Sequence, residues 1–86
     1  MSFSEGPEFD VNLTRGKDGT FGFTQKSGKV GIVRKGSPAY YNRVQAGDQI
    51  TRINNSSIES IGTSKITSLL RDCETQVTLR LCRIGN

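Results

Sequence analysis

Histidine is absent from this 86-residue chain, and only two cysteines, Cys73 and Cys82, are present. Without histidine, the chain has no copy of the commonest general base and no Ser–His or Cys–His nucleophile pair. Two cysteines are too few for a disulfide scaffold or, without histidine, for a zinc site, so we expect reduced thiols that are packed or half-exposed. We therefore predict a protein with no enzymatic activity, no catalytic residues, no metal and no cofactor.

Long apolar runs are also missing. No stretch approaches the ~20 residues that a membrane-spanning helix needs, and no charged segment followed by an apolar one forms a secretory leader at the start. A chain of 9.4 kDa corresponds to one small domain. These features predict a single cytoplasmic domain.

The net charge of +4 comes from twelve Lys and Arg residues against eight Asp and Glu residues. The densest basic group contains Lys26, Lys29, Arg34 and Lys35, and it has two interpretations. Solvated charge that maintains solubility is one, and contact with an anionic phospholipid surface is the other. A nucleic-acid interface is disfavoured, because tryptophan is absent and Phe21 and Phe23 stand beside few basic residues.

Residues 1–7 are small, polar and unpatterned, and they resemble a flexible leader or a remnant of the expression vector. From Glu8 onward, period-two alternation predicts short strands. Ser27-Gly28 between two of them predicts a tight antiparallel hairpin. The predicted strands are 8–14, one that opens with the aromatic stretch from Thr20, 30–34, 49–53, a short piece around Ile58 and Ile61, and 77–84.

Two helices interrupt the strands. Ser37 followed by Pro38 is a typical helix start and predicts a short helix over 38–42, in which one of the two tyrosines is exposed. Apolar residues at 66, 69, 70 and 73 share one face of a second helix over 63–73, with Thr63 or Ser64 as its N-cap. This order predicts an α+β, mainly β fold: a partly open barrel or sandwich of five to six strands capped by two helices.

The stretch Thr20-Phe21-Gly22-Phe23 follows the loop Arg15–Gly19. Gly22 allows backbone conformations closed to other residues, and the N–H groups of such a turn form a concavity that suits an anion. Phe21 and Phe23 share one side of an extended chain and can line an apolar pocket beside it. An anion-binding turn next to an apolar pocket fits the C-terminus of a peptide.

The chain resembles a PDZ domain from about Glu8 to Ile84, which places the single domain at 8–86. Thr20–Phe23 stands at the position of the family's Gly-Leu-Gly-Phe loop. The other landmarks are Gly36-Ser37-Pro38-Ala39, Ala46–Ile50, Ile53-Asn54-Asn55 and Thr63 through Arg71. The short Ser27-Gly28 hairpin and the piece Ile61–Ile66 are most similar to the second PDZ repeat of syntenin-type scaffolds.

The resemblance implies recognition of a protein C-terminus by strand addition between the second strand and the second helix. The carboxylate would bind the N–H groups of Phe21, Gly22 and Phe23, assisted through water by Arg15 or Lys17. The last side chain would enter a pocket of Phe21, Phe23 and Leu70, with Thr67 at its rim. The implied groove residues are Thr24, Gln25, Lys26, Thr63, Thr67 and Leu70.

Three residues depart from the family pattern. Thr20 replaces the first glycine of the loop, and Gln25 stands where an apolar residue often floors the pocket. Thr63 occupies the place where a histidine selects Ser or Thr two residues before the ligand's end. Its hydroxyl and its methyl group leave both a hydroxyl and an apolar ligand residue open.

The implied partners are C-terminal tails of membrane receptors and of junction or signalling proteins, bound by a scaffold or adaptor at the inner face of the plasma membrane. The alternative function is binding of phosphoinositides or other anionic phospholipids through Lys26, Lys29, Arg34 and Lys35, alone or together with a peptide.

Overall fold

The structure, a computed structural model, describes residues 7–83 as six strands and two helices. The predicted α+β, mainly β class is confirmed, with a sheet that does not close into a barrel. The strands are β1 (Glu8–Thr14), β2 (Phe23–Lys26), β3 (Lys29–Val33), β4 (Gln49–Ile53), β5 (Ser56–Ser57) and β6 (Gln76–Cys82), and the helices are α1 (Pro38–Tyr41) and α2 (Thr63–Asp72).

The strands form one sheet in the order β1-β6-β4-β3-β2, with β5 paired to β4. Every pairing is antiparallel, including the predicted β2–β3 hairpin. Strand β2 lies at an edge of the sheet, so one side of its backbone faces away from the other strands. Helix α2 lies beside this edge, and the space between the two is the region of interest.

The core is made by the inward residues of the alternating strands. Val77, Leu79 and Leu81 of β6 are each no more than 1% exposed, as the alternation predicts. Helix α2 contributes only one fully buried residue, Ile66, which packs in the same cluster. The half-buried Leu69 and Leu70 also pack against this cluster, and polar contacts at the two ends of the helix add to its anchoring.

The Ser27-Gly28 hairpin turn is confirmed. Both residues have positive φ, 50° at Ser27 and 86° at Gly28, which is the signature of a type I′ turn whose twist matches the flanking strands. A Cβ atom on Gly28 would lie 2.7 Å from Cδ1 of the buried Ile58. Only glycine fits at this corner.

Two local predictions are wrong. Tyr40 and Tyr41 are both exposed, because α1 has only four residues and buries Ala39 instead, and the two rings pack edge to face in solvent. The N-cap of α2 is Gly62 rather than Thr63 or Ser64. The Thr63 hydroxyl accepts a hydrogen bond from the Ser27 N–H instead.

Several predicted boundaries shift by a few residues. β2 begins at Phe23, and the predicted ends of α1 at Asn42 and of α2 at Cys73 become C-caps. Cys73 is half-buried and Cys82 is buried. Residues 1–6 of the proposed leader and Ile84 of the predicted last strand lie outside the described residues.

Within residues 7–83, no helix has the length and apolar character needed to cross a membrane.

Candidate functional site

A cavity of about 490 Å³ opens between β2 and α2. The β2 side contributes Phe23, Thr24 and Gln25, and α2 contributes Thr67, Leu70 and Arg71. The loop before β2 closes one end with Arg15, Gly19, Thr20 and Phe21. The structure therefore brings the aromatic loop and the Thr67–Leu70 face of α2 together around one apolar recess.

The loop before β2 is held by its carbonyl groups. The Thr20 carbonyl accepts from the Gly16 N–H at 2.8 Å, that of Phe21 from Ala39 at 3.0 Å, and that of Gly22 from Arg34 at 2.8 Å. In a trans peptide the N–H of the next residue points opposite to each carbonyl. The N–H groups of Phe21, Gly22 and Phe23 are therefore turned away from those anchors, which gives this turn the donors that an anion requires.

Gly22 lies at φ 93° over the side chain of Ser37. A Cβ atom at this position would be 2.1 Å from the Ser37 Cβ and 2.2 Å from its Oγ. Ser37 also donates to the Gly22 carbonyl at 3.3 Å and caps α1 by accepting from the Tyr40 N–H. Glycine is therefore required here by the packing of α1 beneath the loop.

Arg15 connects the loop to the end of α2. Its guanidinium carbon lies 4.6 Å from the centre of the Phe21 ring, and its N–H groups donate to backbone carbonyls. The acceptors are Gly19 at 2.8 Å, Glu74 at 2.6 Å, Leu70 and Arg71 at 3.0 Å each, and Cys73. A cation at the C-terminal end of a helix is further stabilised by the helix dipole. Arg15 is thus a cross-link between the two walls of the cavity.

Asp18 organises the tip of the same loop. Its carboxylate accepts from the N–H of Thr20 at 3.0 Å and from the Thr20 hydroxyl at 2.9 Å. Arg34 pairs with Asp18 at 2.8 Å and donates to the Thr20 hydroxyl at 2.9 Å. The hydrogen bonds from Thr20, followed by the charge of Arg34, lower the pKa of Asp18.

We expect the Thr20 amide resonance to follow the ionisation of Asp18, with a midpoint below the ordinary value of 3.8. Because folding lowers this pKa, the stabilisation from the carboxylate is present above the unfolded pKa and is lost as pH falls through the folded one. An NMR titration of the Thr20 amide measures the midpoint. In Asp18→Asn this transition should vanish, and a transition that persists in the variant would show that another group causes it.

Gln25 and Thr63 bridge the far end of the recess. The Gln25 amide nitrogen donates to the Thr67 hydroxyl at 3.0 Å and to the Thr63 carbonyl at 3.2 Å, and its oxygen accepts from the Gly28 N–H at 2.8 Å. The Thr63 hydroxyl accepts from the Ser27 N–H at 2.7 Å. Gln25 and Thr67 line the cavity, whereas Thr63 and Lys26 are not among its lining residues.

The structure divides the basic residues between the two ends of the hairpin. Lys26 and Lys29 are opposite each other beside the turn, and both are exposed. Arg34 is at the other end, paired with Asp18. Lys35 lines a second cavity of about 470 Å³ with Lys17, beside α1, so neither is a lining residue of the β2–α2 cavity.

Three residues that build this site are not among the site residues predicted from the sequence. Gly19 and Arg71 line the cavity, and Ser37 supports Gly22 from below. Arg71 could have been identified, because it follows Thr67 by four residues and shares its helix face. The role of Ser37 could not have been found from spacing, since it depends on how α1 packs under the loop.

The profile of the PDZ domain matches residues 5–81. Six strands, two helices and a recess between an edge strand and a helix are the architecture that the resemblance in the sequence implies. The chain belongs to the PDZ domain family, whose members are protein-interaction modules rather than enzymes.

The human putative protein FRMPD2-like is 36% identical over 96 aligned positions, which include 96% of this chain. The chain spans about 30% of the length of that relative.

Three solved structures are similar in fold. The second PDZ domain of Dlg1 from the choanoflagellate Monosiga brevicollis is 18% identical, with a TM-score of 0.79 over 93% of this chain and 100% of that one. The third PDZ domain of INAD, in complex with a TRP channel tail, is 21% identical, with a TM-score of 0.78 over 87% and 84%. The PDZ domain of choanoflagellate SHANK1, bound to a GIRK3 peptide, is 23% identical, with a TM-score of 0.81 over 90% and 92%.

Proposed function

We propose that this domain binds the C-terminal peptide of partner proteins by strand addition to β2. The observation that carries the proposal is the recess of about 490 Å³ between β2 and α2, at the end of which the N–H groups of the Phe21–Phe23 turn point away from their anchored carbonyls. A carboxylate satisfies these donors, and an apolar side chain fills the recess beside Phe23 and Leu70. The last residue of a peptide supplies both.

The edge position of β2 provides the remaining contacts. Along a strand, backbone groups alternate in direction, and the Gly22 carbonyl already faces the Arg34 N–H of the neighbouring strand segment. The polar groups of Phe23 and Gln25, which have the opposite parity, therefore face α2. An antiparallel peptide pairs with them, and its alternate side chains enter the groove. Peptide affinity in the micromolar range corresponds to about −8 kcal/mol.

The test is a titration of labelled peptides that end in Val, Ile, Leu, Phe, Ala or Cys, each paired with its C-terminally amidated version. We expect binding of the free acids that is lost on amidation, because an amide cannot supply the negative charge for the Phe21–Phe23 turn. Equal binding of the acid and the amide would contradict carboxylate capture. Binding of neither, by a folded protein, would contradict the proposed function.

A second candidate is binding of phosphoinositides or other anionic phospholipids through the hairpin. Lys26 and Lys29 are opposite each other on neighbouring strands, an arrangement of like charges that destabilises a sheet and that an anionic surface would relieve. Each basic residue near such a surface adds about 1 kcal/mol. Sedimentation with phosphoinositide vesicles should decrease in Lys26→Glu and Lys29→Glu, and equal sedimentation with neutral vesicles would contradict this candidate.

The partners that fit are C-terminal tails of receptors, channels and other membrane or signalling proteins, and the domain would act as a non-catalytic part of a scaffold at the inner face of the plasma membrane. Two of the similar structures support this class of ligand, since one is in complex with a channel tail and the other with a GIRK3 peptide.

A further inference from the structure

Three backbone N–H groups face α2: those of Phe23 and Gln25 on the edge strand β2, and that of Ser27 in the turn that follows it. For Ser27 the direction is observed, since its N–H donates to the Thr63 hydroxyl at 2.7 Å. Gln25 has the same parity, because it precedes the Lys26–Lys29 pair that closes the type I′ turn. The Thr63 hydroxyl of α2 therefore occupies the third of these N–H donors, the one at Ser27, so an incoming strand can pair only with the first two.

The Thr63 hydroxyl is consequently committed to the hairpin. Its oxygen accepts from the Ser27 N–H and lies 3.5 Å from the Ser27 hydroxyl. The bond from the Ser27 N–H uses one of the two lone pairs of this hydroxyl and holds it toward the hairpin. Thr63 is also absent from the residues that line the recess, although its helix position led us to expect it there.

Gln25 lies two residues after Phe23 on β2, beside the place where the third-from-last residue of a ligand would bind. Its amide joins the Thr67 hydroxyl and the Thr63 carbonyl on α2 to the Gly28 N–H in the turn. We call these contacts the Gln25 bridge. In an antiparallel peptide the last residue lies beside Phe23, and the third from last lies beside Gln25 with its side chain directed toward α2. That side chain meets the bridge.

We propose, on the basis of the proposed function, that Gln25 rather than Thr63 determines which side chain the ligand carries at its third-from-last position. The Gln25 amide nitrogen must leave the Thr67 hydroxyl and the Thr63 carbonyl when the ligand enters. A polar group left without a partner at a binding site lowers affinity. The favoured ligand residue is therefore one that replaces the broken hydrogen bonds.

A serine or threonine hydroxyl does so. It accepts a hydrogen bond from the Gln25 amide nitrogen and donates one to the Thr63 carbonyl. A carboxylate only accepts, and it would face that carbonyl with its negative charge. An apolar side chain replaces neither bond. The geometry thus selects a hydroxyl among the two possibilities that the sequence leaves open.

The test uses carboxylate-terminated peptides that differ only in Thr, Val or Asp at the third-from-last position. In the wild type we expect Thr to bind about fivefold more tightly than Val or Asp. In Gln25→Met, an unbranched replacement of similar length, the preference for Thr over Val should disappear. In Thr63→Val, which keeps the carbonyl, it should persist. Loss of the preference in Thr63→Val with retention in Gln25→Met would overturn the proposal.

Amide hydrogen exchange tests the bridge without a ligand. The Gly28 amide should exchange slowly in the wild type and faster in Gln25→Met, and the Ser27 amide should become faster in Thr63→Val only. Fast exchange at Gly28 in the wild type would overturn the bridge while leaving peptide binding intact. If the bridge is present but no carboxylate-terminated peptide binds, the proposed function is wrong. The proposal that Gln25 selects the third-from-last residue of the ligand is then wrong as well.

Discussion

Gly22→Ala should destabilise the domain by about 3 kcal/mol or more. Two costs add at this position. The backbone lies at φ 93°, where an L-residue is strained by about 1 to 2 kcal/mol. The new Cβ would also lie 2.1 Å from the Ser37 Cβ, so α1 or the loop has to move. Urea unfolding of the variant and the wild type measures the difference.

Gly19 provides the matched control in the same loop. It has a similar φ of 82°, but a Cβ atom there would meet nothing within 4 Å. Gly19→Ala should therefore show only the backbone cost of about 1 to 2 kcal/mol. Adding Ser37→Gly to Gly22→Ala should restore most of the stability that the clash with the Ser37 side chain removes. The second change costs little itself, because glycine is nearly as good an N-cap as serine. Equal losses in Gly22→Ala and Gly19→Ala would refute the steric account.

Arg15→Ala is expected to cost about 3 kcal/mol of stability and to weaken peptide binding. The change removes the hydrogen bonds that tie the loop before β2 to the last turn of α2, and it removes the contact with the Phe21 ring. Without this cross-link, both walls of the recess lose their fixed separation. Denaturant unfolding and peptide titration are measured on the same variant.

Arg15→Lys and Lys17→Ala separate charge from geometry. Lysine retains the positive charge but cannot reach several carbonyls with a planar fork, so Arg15→Lys should remain close to Arg15→Ala. Lys17 is exposed in the same loop, and its removal should change stability by less than about 0.5 kcal/mol. Wild-type stability and affinity in Arg15→Lys would show that Arg15 acts through its charge alone.

The fold follows from sequence patterns wherever one residue type dictates local geometry. Alternation in Val77–Leu81 specifies the buried face of β6, and the Ser27-Gly28 pair specifies the hairpin turn. Ser37-Pro38 specifies the start of α1. The predictions for Tyr40 and Tyr41 and for the α2 N-cap are wrong because a short helix needs only one buried residue, and because Thr63 has a nearby alternative partner in Ser27.

The site is harder to predict from the sequence than the fold, since its contacts join segments that are distant in the chain. The positions of Phe21, Phe23, Thr67 and Leu70 around one recess agree with the resemblance to the family. The bonds of Arg15 to carbonyls near residue 70 join segments that are far apart in the chain. No local pattern contains such pairs, and the bridging role of Gln25 belongs to the same class.

The β1–β6 ladder affects the folding rate of this chain as well as the stability of the folded domain. The ladder pairs Glu8 with Cys82 and Thr14 with Gln76, so it closes a loop of nearly the whole domain and contributes strongly to contact order. Closing such a loop costs chain entropy before its contacts form. The domain should therefore fold more slowly than a helical protein of its length. A permuted chain that connects β6 directly to β1 at the Glu8–Cys82 pair and is opened elsewhere would turn this slow pairing into a local hairpin.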